Sequence, residues 1–381
     1  MVAPLVSAPV FRSRTETDVD KDRRLLIDRR SFIKAAGVPF LASLAPRSLF
    51  ALERTDAVFA SAFRGRDGAY GVATLSEAGE IIDRVALPAR AHSMAFSPET
   101  GMTVAFARRP GTFFVAFDPR GRRAPVVINT PEGRHFYGHG QFSPDGTILY
   151  ASENDFDGNR GVIGLYDARD GFRRFGEYDA HGIGTHDMTV SADGSMIVIA
   201  NGGIETHPDF GRTKLNIDRM EPSLVLLEAA TGNLIQKHTL PEQLKQLSTR
   251  HVDLGNDGRI WFACQYEGPR NDLPPLAGYF SKGEDLRFVD LPDETTGRLA
   301  NYVGAIAVNR EAGVVGLTSP NGNAFVTLDE KHGTVLTQTA LREAAGVAAS
   351  KSGVIASSYD GDFAGRMSAV SWDQHIARIS R

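Results

Sequence analysis

Four histidines recur at the start of similar short apolar segments, and their residue type is the first hint of chemistry in this chain. They are His92, His139, His186 and His251, and they stand 47, 47 and 65 residues apart. A neutral imidazole is a common ligand of Fe, Cu, Zn and Ni. The recurrence therefore predicts either a shared metal or ligand site, or strand-start residues that hydrogen-bond to neighbouring repeats.

A second polar group follows the second apolar segment of several repeats. Its carboxylates widen the choice of ligand toward hard cations. The pairs His186 with Asp187 and Arg250 with His251 are the most suggestive of a site. The candidate ligand-binding residues are Glu153, Asn154, Asp155, Arg160, Asn201, Glu205, His207, Arg250, Gln265 and Glu267.

The elements that must position these residues are short strands in a repeat of about 40–50 residues, the period of a β-propeller blade. Six units begin between residues 92 and 346, and residues 57–90 supply three further strands. The sequence predicts an all-β fold, a single β-propeller of seven blades with four antiparallel strands each, over residues 55–381. A strand around 376–379 is expected to close the ring. Six or eight blades and an open β-sandwich are the alternatives.

Propeller topology places both polar groups on one face. The innermost strand runs between the faces and the second strand returns, so the start of one and the end of the other meet around the central channel. An insertion, Ile204–Met220, leaves from the same face. His92 and His186 stand five residues before the turn, whereas His139 and His251 stand four before it. Since side chains alternate along a strand, all four histidines can face the channel only if a β-bulge intervenes.

The first fifty-one residues are predicted to be an N-terminal region with a signal peptide. Arg29, Arg30, Phe32 and Lys34 match the twin-arginine export pattern, and an apolar stretch follows them. That stretch is shorter than the about 20 residues that cross a bilayer. We expect export to the periplasm, cleavage between residues 46 and 55, and a mature chain without a membrane span.

Composition excludes several classes of protein. The chain has 42 Lys and Arg against 46 Asp and Glu, so it lacks the basic surface that nucleic-acid binding requires. Cys264 is the only cysteine, which leaves no internal disulfide and no cysteine-rich metal cluster. Catalytic templates such as Gly-x-Ser-x-Gly and His-Glu-x-x-His are missing from the sequence.

Seven short motifs stand out in the repeats, namely Gly138–Gly146, Ala151–Asp155, Arg160–Ile163, Gly182–His186, Ala200–Pro208, Met220–Leu224 and Gln265–Gly268. Together they resemble the DUF1513 family of exported bacterial proteins. The resemblance implies a seven-bladed propeller, twin-arginine export, and a place in iron-related gene sets beside imelysin-like and di-haem peroxidase-like proteins. It implies no activity that can be transferred to this chain.

The sequence thus favours a monomeric periplasmic binding propeller, linked to iron or haem-related uptake, over an enzyme. Its cofactor would be an iron, copper or other transition-metal ion at the histidine face. Two alternatives stay open. One is a platform that docks an exported partner, and the other is an enzyme acting on a small polar substrate.

Overall fold

A computed structural model describes residues 57–119, 123–211 and 213–380. The predicted twin-arginine motif, Arg29 to Lys34, and Arg212 of the insertion lie outside these residues. The described chain folds into seven four-stranded antiparallel sheets arranged as a propeller. The predicted fold and blade count are confirmed.

One sheet joins the two ends of the described chain. Its strands, from the axis outward, are β28 (Val370–Arg378), β1 (Phe59–Gly65), β2 (Tyr70–Leu75) and β3 (Ile81–Leu87). The predicted closure by a C-terminal strand is therefore confirmed, and that strand is the innermost of its blade.

The other six blades each use four consecutive strands, with the first innermost. The first two of these blades contain β4 (Ala91–Phe96), β5 (Thr103–Ala107), β6 (Phe113–Phe117) and β7 (Val126–Asn129), then β8 (Arg134–Phe142), β9 (Ile148–Asp155), β10 (Arg160–Asp167) and β11 (Arg173–Asp179). The next two contain β12 (Thr185–Val190), β13 (Met196–Asn201), β14 (Ser223–Glu228) and β15 (Leu234–Thr239), then β16 (Leu247–Leu254), β17 (Arg259–Tyr266), β18 (Ala277–Ser281) and β19 (Arg287–Phe288). The last two contain β20 (Ala305–Asn309), β21 (Val314–Ser319), β22 (Ala324–Asp329) and β23 (Val335–Ala340), then β24 (Ala344–Ser350), β25 (Gly353–Ser358), β26 (Asp362–Phe363) and β27 (Arg366–Met367).

Burial explains the composition of the strands. Middle strands such as β6, with the sequence FFVAF, are buried at every position, because each blade is covered by a neighbour on both faces. Outer strands such as β15 alternate exposed and half-buried positions. The core thus lies between the blades, and the inner strands β4, β8, β12, β16, β20, β24 and β28 pack in a ring around the axis.

The tight turns follow the predicted chemistry. In the Ser143–Gly146 turn, Asp145 Oδ1 accepts hydrogen bonds from the Ser143 hydroxyl at 2.6 Å and the Thr147 amide at 3.1 Å. Gly146 has a φ of 66°, which glycine adopts without strain. These turns and the histidines therefore lie on opposite faces of the propeller.

Helical structure is sparse among the described residues. It consists of α1 (Asp293–Arg298) and 3-10 turns at Pro208–Phe210, Ile217–Arg219 and Glu242–Leu244. None of these helices is long and apolar enough to cross a membrane.

Candidate metal centre at the propeller axis

Five histidine rings converge where the inner strands meet at the axis. The four predicted residues His92, His139, His186 and His251 are joined by His375 of the closing strand β28. Neighbouring ring centroids stand between 4.6 and 5.8 Å apart. The structure therefore brings together the whole set that the repeats predicted and adds a fifth member.

β-Bulges make this convergence possible. The pairing of each histidine-bearing inner strand shifts register at or beside its histidine, for example between Ala91 and Met94 in β4 and between Thr249 and His251 in β16. A bulge adds one residue to one strand and turns a side chain to the other face. It thereby removes the conflict that strict alternation would impose on the four predicted histidines.

A glycine lets two of the rings meet. Gly138, immediately before His139, has a φ of 104°, and a Cβ there would lie 2.9 Å from Cδ2 of His92. A side chain at this position would displace the His92 ring. The backbone of β8 is thus shaped to fit the neighbouring imidazole.

A half-buried carboxylate faces two of the histidines. Asp187 Oδ1 lies 2.9 Å from His139 Nδ1, and Asp187 Oδ2 lies 3.6 Å from His251 Nδ1. The first contact is a hydrogen bond, whereas the second is slightly too long for one. Because a carboxylate only accepts, His139 carries its proton on Nδ1 and has its lone pair on Nε2.

Four buried ring nitrogens at the axis have no hydrogen-bond partner within the described chain. They are Nδ1 of His251 and the Nε2 atoms of His139, His251 and His375. A buried polar atom without a partner costs about 1–3 kcal/mol. Four such atoms in one cluster are costly for a purely structural core, and each of the three Nε2 atoms offers a lone pair to a cation if the proton is on Nδ1.

The same three histidines have ring nitrogens within 4.8 Å of one another. A tetrahedral zinc ion with nitrogen ligands at about 2.0–2.1 Å separates those nitrogens by about 3.4 Å. His139, His251 and His375 are therefore the residues that would hold one ion in a three-histidine site.

The other two histidines have different partners. His92 Nδ1 lies 3.4 Å from Asp373 Oδ1, and His92 forms a second three-histidine group with His139 and His186. Arg250 Nη1 lies 3.3 Å from His186 Nδ1. Because a guanidinium only donates, His186 Nδ1 accepts and the proton of the neutral ring is on Nε2. A protonated Nε2 cannot bind a metal ion.

The protonation states of the histidines and of Asp187 suit the binding of a cation. Burial lowers the pKa of His92, His186, His251 and His375, and facing histidines and arginines lower it further for most of them. Burial alone would raise the pKa of Asp187, but its imidazole neighbours outweigh burial and hold that pKa far below its usual value. The four rings are thus neutral and Asp187 is ionised at neutral pH, as metal binding requires.

Most of the predicted ligand-binding residues lie in contacts within or between blades. Glu153 is fully buried and accepts a hydrogen bond from the Tyr166 hydroxyl at 2.6 Å. Asp155 pairs with Arg160 at 2.9 Å, and Arg160 also reaches Glu177 at 2.8 Å. These groups form an ion-pair network on the third blade in chain order after residue 57, away from the histidine cluster's own contacts.

The predicted amides bind the backbone and hydroxyl groups. Asn154 donates to the Thr206 carbonyl at 3.1 Å and so fixes the insertion to β9. Asn201 accepts from the Thr185 hydroxyl at 2.6 Å. Gln265 donates at 3.2 Å to a backbone carbonyl in the segment just before the first strand of the next blade. All three positions are buried.

The remaining predicted residues lie on or beside the insertion. Glu205 faces Arg219 at 3.7 Å, and His207 Nδ1 accepts the Asp209 amide at 3.2 Å as a cap of the first 3-10 turn. Glu267 pairs with Lys214 and stands 3.9 Å from Arg250. Of the predicted ligand-binding set, Arg250 is the residue with a direct contact to the cluster.

His375 was absent from the sequence prediction, although a signal for it existed. In the closing strand, His375 occupies the position that His or Gly holds at the start of the other six repeats. The next strand of its blade is β1, from the other end of the described chain, so the tight turn of the other repeats does not follow His375. Aligning the innermost strands alone would have revealed it.

Comparison with known families places the chain. A family described as "Protein of unknown function (DUF1513)" matches residues 85–379. The chain belongs to the DUF1513 family. The match covers six complete blades and the closing strand, so the axial histidines of this DUF1513 member all fall within it.

Solved structures similar to this DUF1513 member share its fold. Hydrazine synthase of Kuenenia stuttgartiensis has a TM-score of 0.60 and 14% identity, over 83% of this chain and 94% of that one. The Cps50 (Swd1) β-propeller domain of Myceliophteria thermophila has a TM-score of 0.55 and 11% identity, over 84% and 96%. No curated protein matches the sequence significantly. At these identities the likeness concerns the fold alone.

Proposed function

We propose that this DUF1513 member is a metal-binding propeller that holds one transition-metal ion at its axis. The observation that carries the proposal is the cluster of three buried Nε2 atoms, on His139, His251 and His375, without hydrogen-bond partners among the described residues. Asp187 supports it as the carboxylate that orients the ligands, an arrangement common in protein metal sites.

The chemistry of the donors limits the number and kind of ion. The two three-histidine groups of the cluster share His139. Its Nδ1 is engaged by Asp187, so its single Nε2 lone pair binds one ion at a time. Neutral imidazoles favour Fe, Cu, Zn and Ni over magnesium or calcium. The site therefore takes one borderline transition-metal ion per chain.

Metal analysis of the natively purified protein tests this proposal. We expect close to one transition-metal ion per chain, and a higher melting temperature when metal-free protein receives Fe²⁺, Cu²⁺ or Zn²⁺. At a free metal concentration of 100 times Kd, the gain in stability is about 2.7 kcal/mol. Absence of bound metal, together with an unchanged melting temperature for all three ions, would refute the proposal.

We also propose that the protein works in the periplasm, in iron or haem-related uptake. The support is the twin-arginine motif and the family resemblance, with imelysin-like or di-haem peroxidase-like proteins as partners. Changing Arg29 and Arg30 to lysine should leave the protein in the cytoplasm of its host, as shown by immunoblots of cell fractions. Equal periplasmic amounts of both forms would contradict export by this route.

A docking role is the second candidate, and one observation favours it. Phe210 on the insertion is 59% exposed at the face that carries the cluster. A Phe210→Ser variant should lose co-purification with an exported partner while it keeps its metal. Retention of the partner would argue against docking through this residue.

A further inference from the structure

Two arginines, the half-buried Arg108 and the buried Arg250, flank the histidine cluster on its insertion-bearing face. Arg108 directly follows β5 and donates to Asp373 Oδ1 at 2.9 Å and to Gln374 Oε1 at 3.3 Å. Arg250 directly precedes His251 and contacts His186 Nδ1 at 3.3 Å. Strand topology puts both guanidiniums on the same face, one beside His92 and the other beside His186.

These guanidiniums are incompletely neutralised. Arg108 shares the carboxylate of Asp373 with Arg90. Arg250 stands 3.9 Å from Glu267, which already pairs with Lys214. The two guanidiniums, Arg90 and Lys214 thus share the carboxylates of Asp373 and Glu267. The third carboxylate of the site, Asp187, faces the imidazoles.

Unpartnered N–H groups point to the same conclusion. The Nε atoms of Arg108 and Arg250 are both buried and have no hydrogen-bond partner in the described part of the chain. A buried donor without a partner is costly, and the cost is greater for a charged group. A divalent ion bound to neutral histidines would add two further positive charges to this surplus.

We propose that the metal ion binds together with a small carboxylate, which Arg108 and Arg250 hold as the exogenous ligand of the metal. The inference rests on the metal site proposed above. A carboxylate offers two acceptor oxygens that match the fork of a guanidinium and can also coordinate a metal. It would offset the charge surplus and give acceptors to the orphan N–H groups, and the His186 Nε2–H could donate to it.

The experiment uses the Cu²⁺-loaded full chain and follows the visible absorption of the ion. Titration with acetate should shift the absorption band in a saturable way, whereas acetamide, the neutral analogue, should leave it unchanged. In Arg250→Gln and Arg108→Gln, measured per bound copper, the acetate affinity should fall at least tenfold. Arg259→Gln, far from the cluster, is the matched control and should bind acetate like the parent protein.

Specific results would overturn the proposal. If copper binds but acetate leaves the band unchanged, or both arginine variants bind acetate like the parent, the carboxylate ligand is wrong and the metal site stands. If the variants lose copper instead of acetate, the arginines serve the metal site alone. If the parent binds no copper, both proposals fall. Should Arg250→Gln not fold, Arg250→Lys replaces it, and an unchanged acetate affinity there contradicts a role for the guanidinium fork.

Discussion

Asp187 faces two axial histidines at once, with Oδ1 at 2.9 Å from His139 Nδ1 and Oδ2 at 3.6 Å from His251 Nδ1. Asp187→Asn keeps the size of this side chain and removes its charge. Because loss of a carboxylate that orients histidine ligands typically weakens metal binding 10–100-fold, we expect that loss in affinity here. Competition with a chromogenic chelator measures it.

Asp253 provides a matched control for this variant. Like Asp187, it accepts the amide of the following residue, at 2.8 Å, and an amide of the next blade, at 2.7 Å. Its oxygens pair with backbone amides and with no imidazole among the described residues. Asp253→Asn should change the metal affinity less than threefold, and equal losses in both variants would show that the effect of Asp187 is structural.

The choice of ligands within the cluster can be tested by single removals. His375→Ala takes away an orphan Nε2 and should weaken metal binding at least 100-fold. His186→Ala removes a ring whose Nδ1 faces Arg250 and should cost less than tenfold. His332→Ala, at an exposed position, is the control and should leave the metal affinity unchanged. The opposite order of the two losses would place the ion between His92, His139 and His186.

Acid should destabilise the fold in a range set by buried histidines. Burial lowers the pKa of His135 to about 4 from the 6.5 of the unfolded chain. The folded state therefore binds fewer protons between these values, so stability is full above pH 6.5 and is lost as the pH falls toward 4. His135→Gln should reduce the slope of unfolding free energy against pH by up to about 1.4 kcal/mol per pH unit.

Urea unfolding of metal-free protein at several pH values measures this slope. His332→Gln, at an exposed position, should leave it unchanged. Identical slopes in His135→Gln and the parent protein would show that His135 does not contribute to the acid sensitivity.

The closing strand should be essential for stability. Trp372 of β28 is 1% exposed, packs against Phe63 and Phe363, and donates its indole N–H to the Gly361 carbonyl at 3.2 Å. Trp372→Ala should lower the unfolding free energy by about 3–5 kcal/mol. Trp372→Phe keeps much of the contact and should lose less than half as much. Equal stability of all three proteins would contradict this account of closure.

The sequence predicted the propeller because the repeat itself encodes it. Three features of the sequence carry the prediction: strand periodicity, the Ser-Pro-Asp-Gly turns, and the spacing of His92, His139 and His186. All three are visible along the chain and do not depend on contacts between distant residues. The same signals predicted the face of the molecule on which the histidines lie. They also showed that bulges would be needed for a common site, and the structure has them.

The partners of the polar residues were beyond the reach of the sequence. Glu153 and Asp155 lie at the end of the second strand of their blade, where a ligand group was expected, yet their charges are matched by arginines on other strands of the same blade. His375 joins the site through ring closure, a contact between chain ends. Such pairings depend on three-dimensional register and not on spacing along the chain.

An anomalous difference map from a crystal grown with Zn²⁺ would locate the metal ion in the propeller. We expect one strong peak per chain at the axis, about 2.0–2.1 Å from the Nε2 atoms of His139, His251 and His375. A map with no peak at the axis, or with zinc bound only at surface carboxylates, would contradict it.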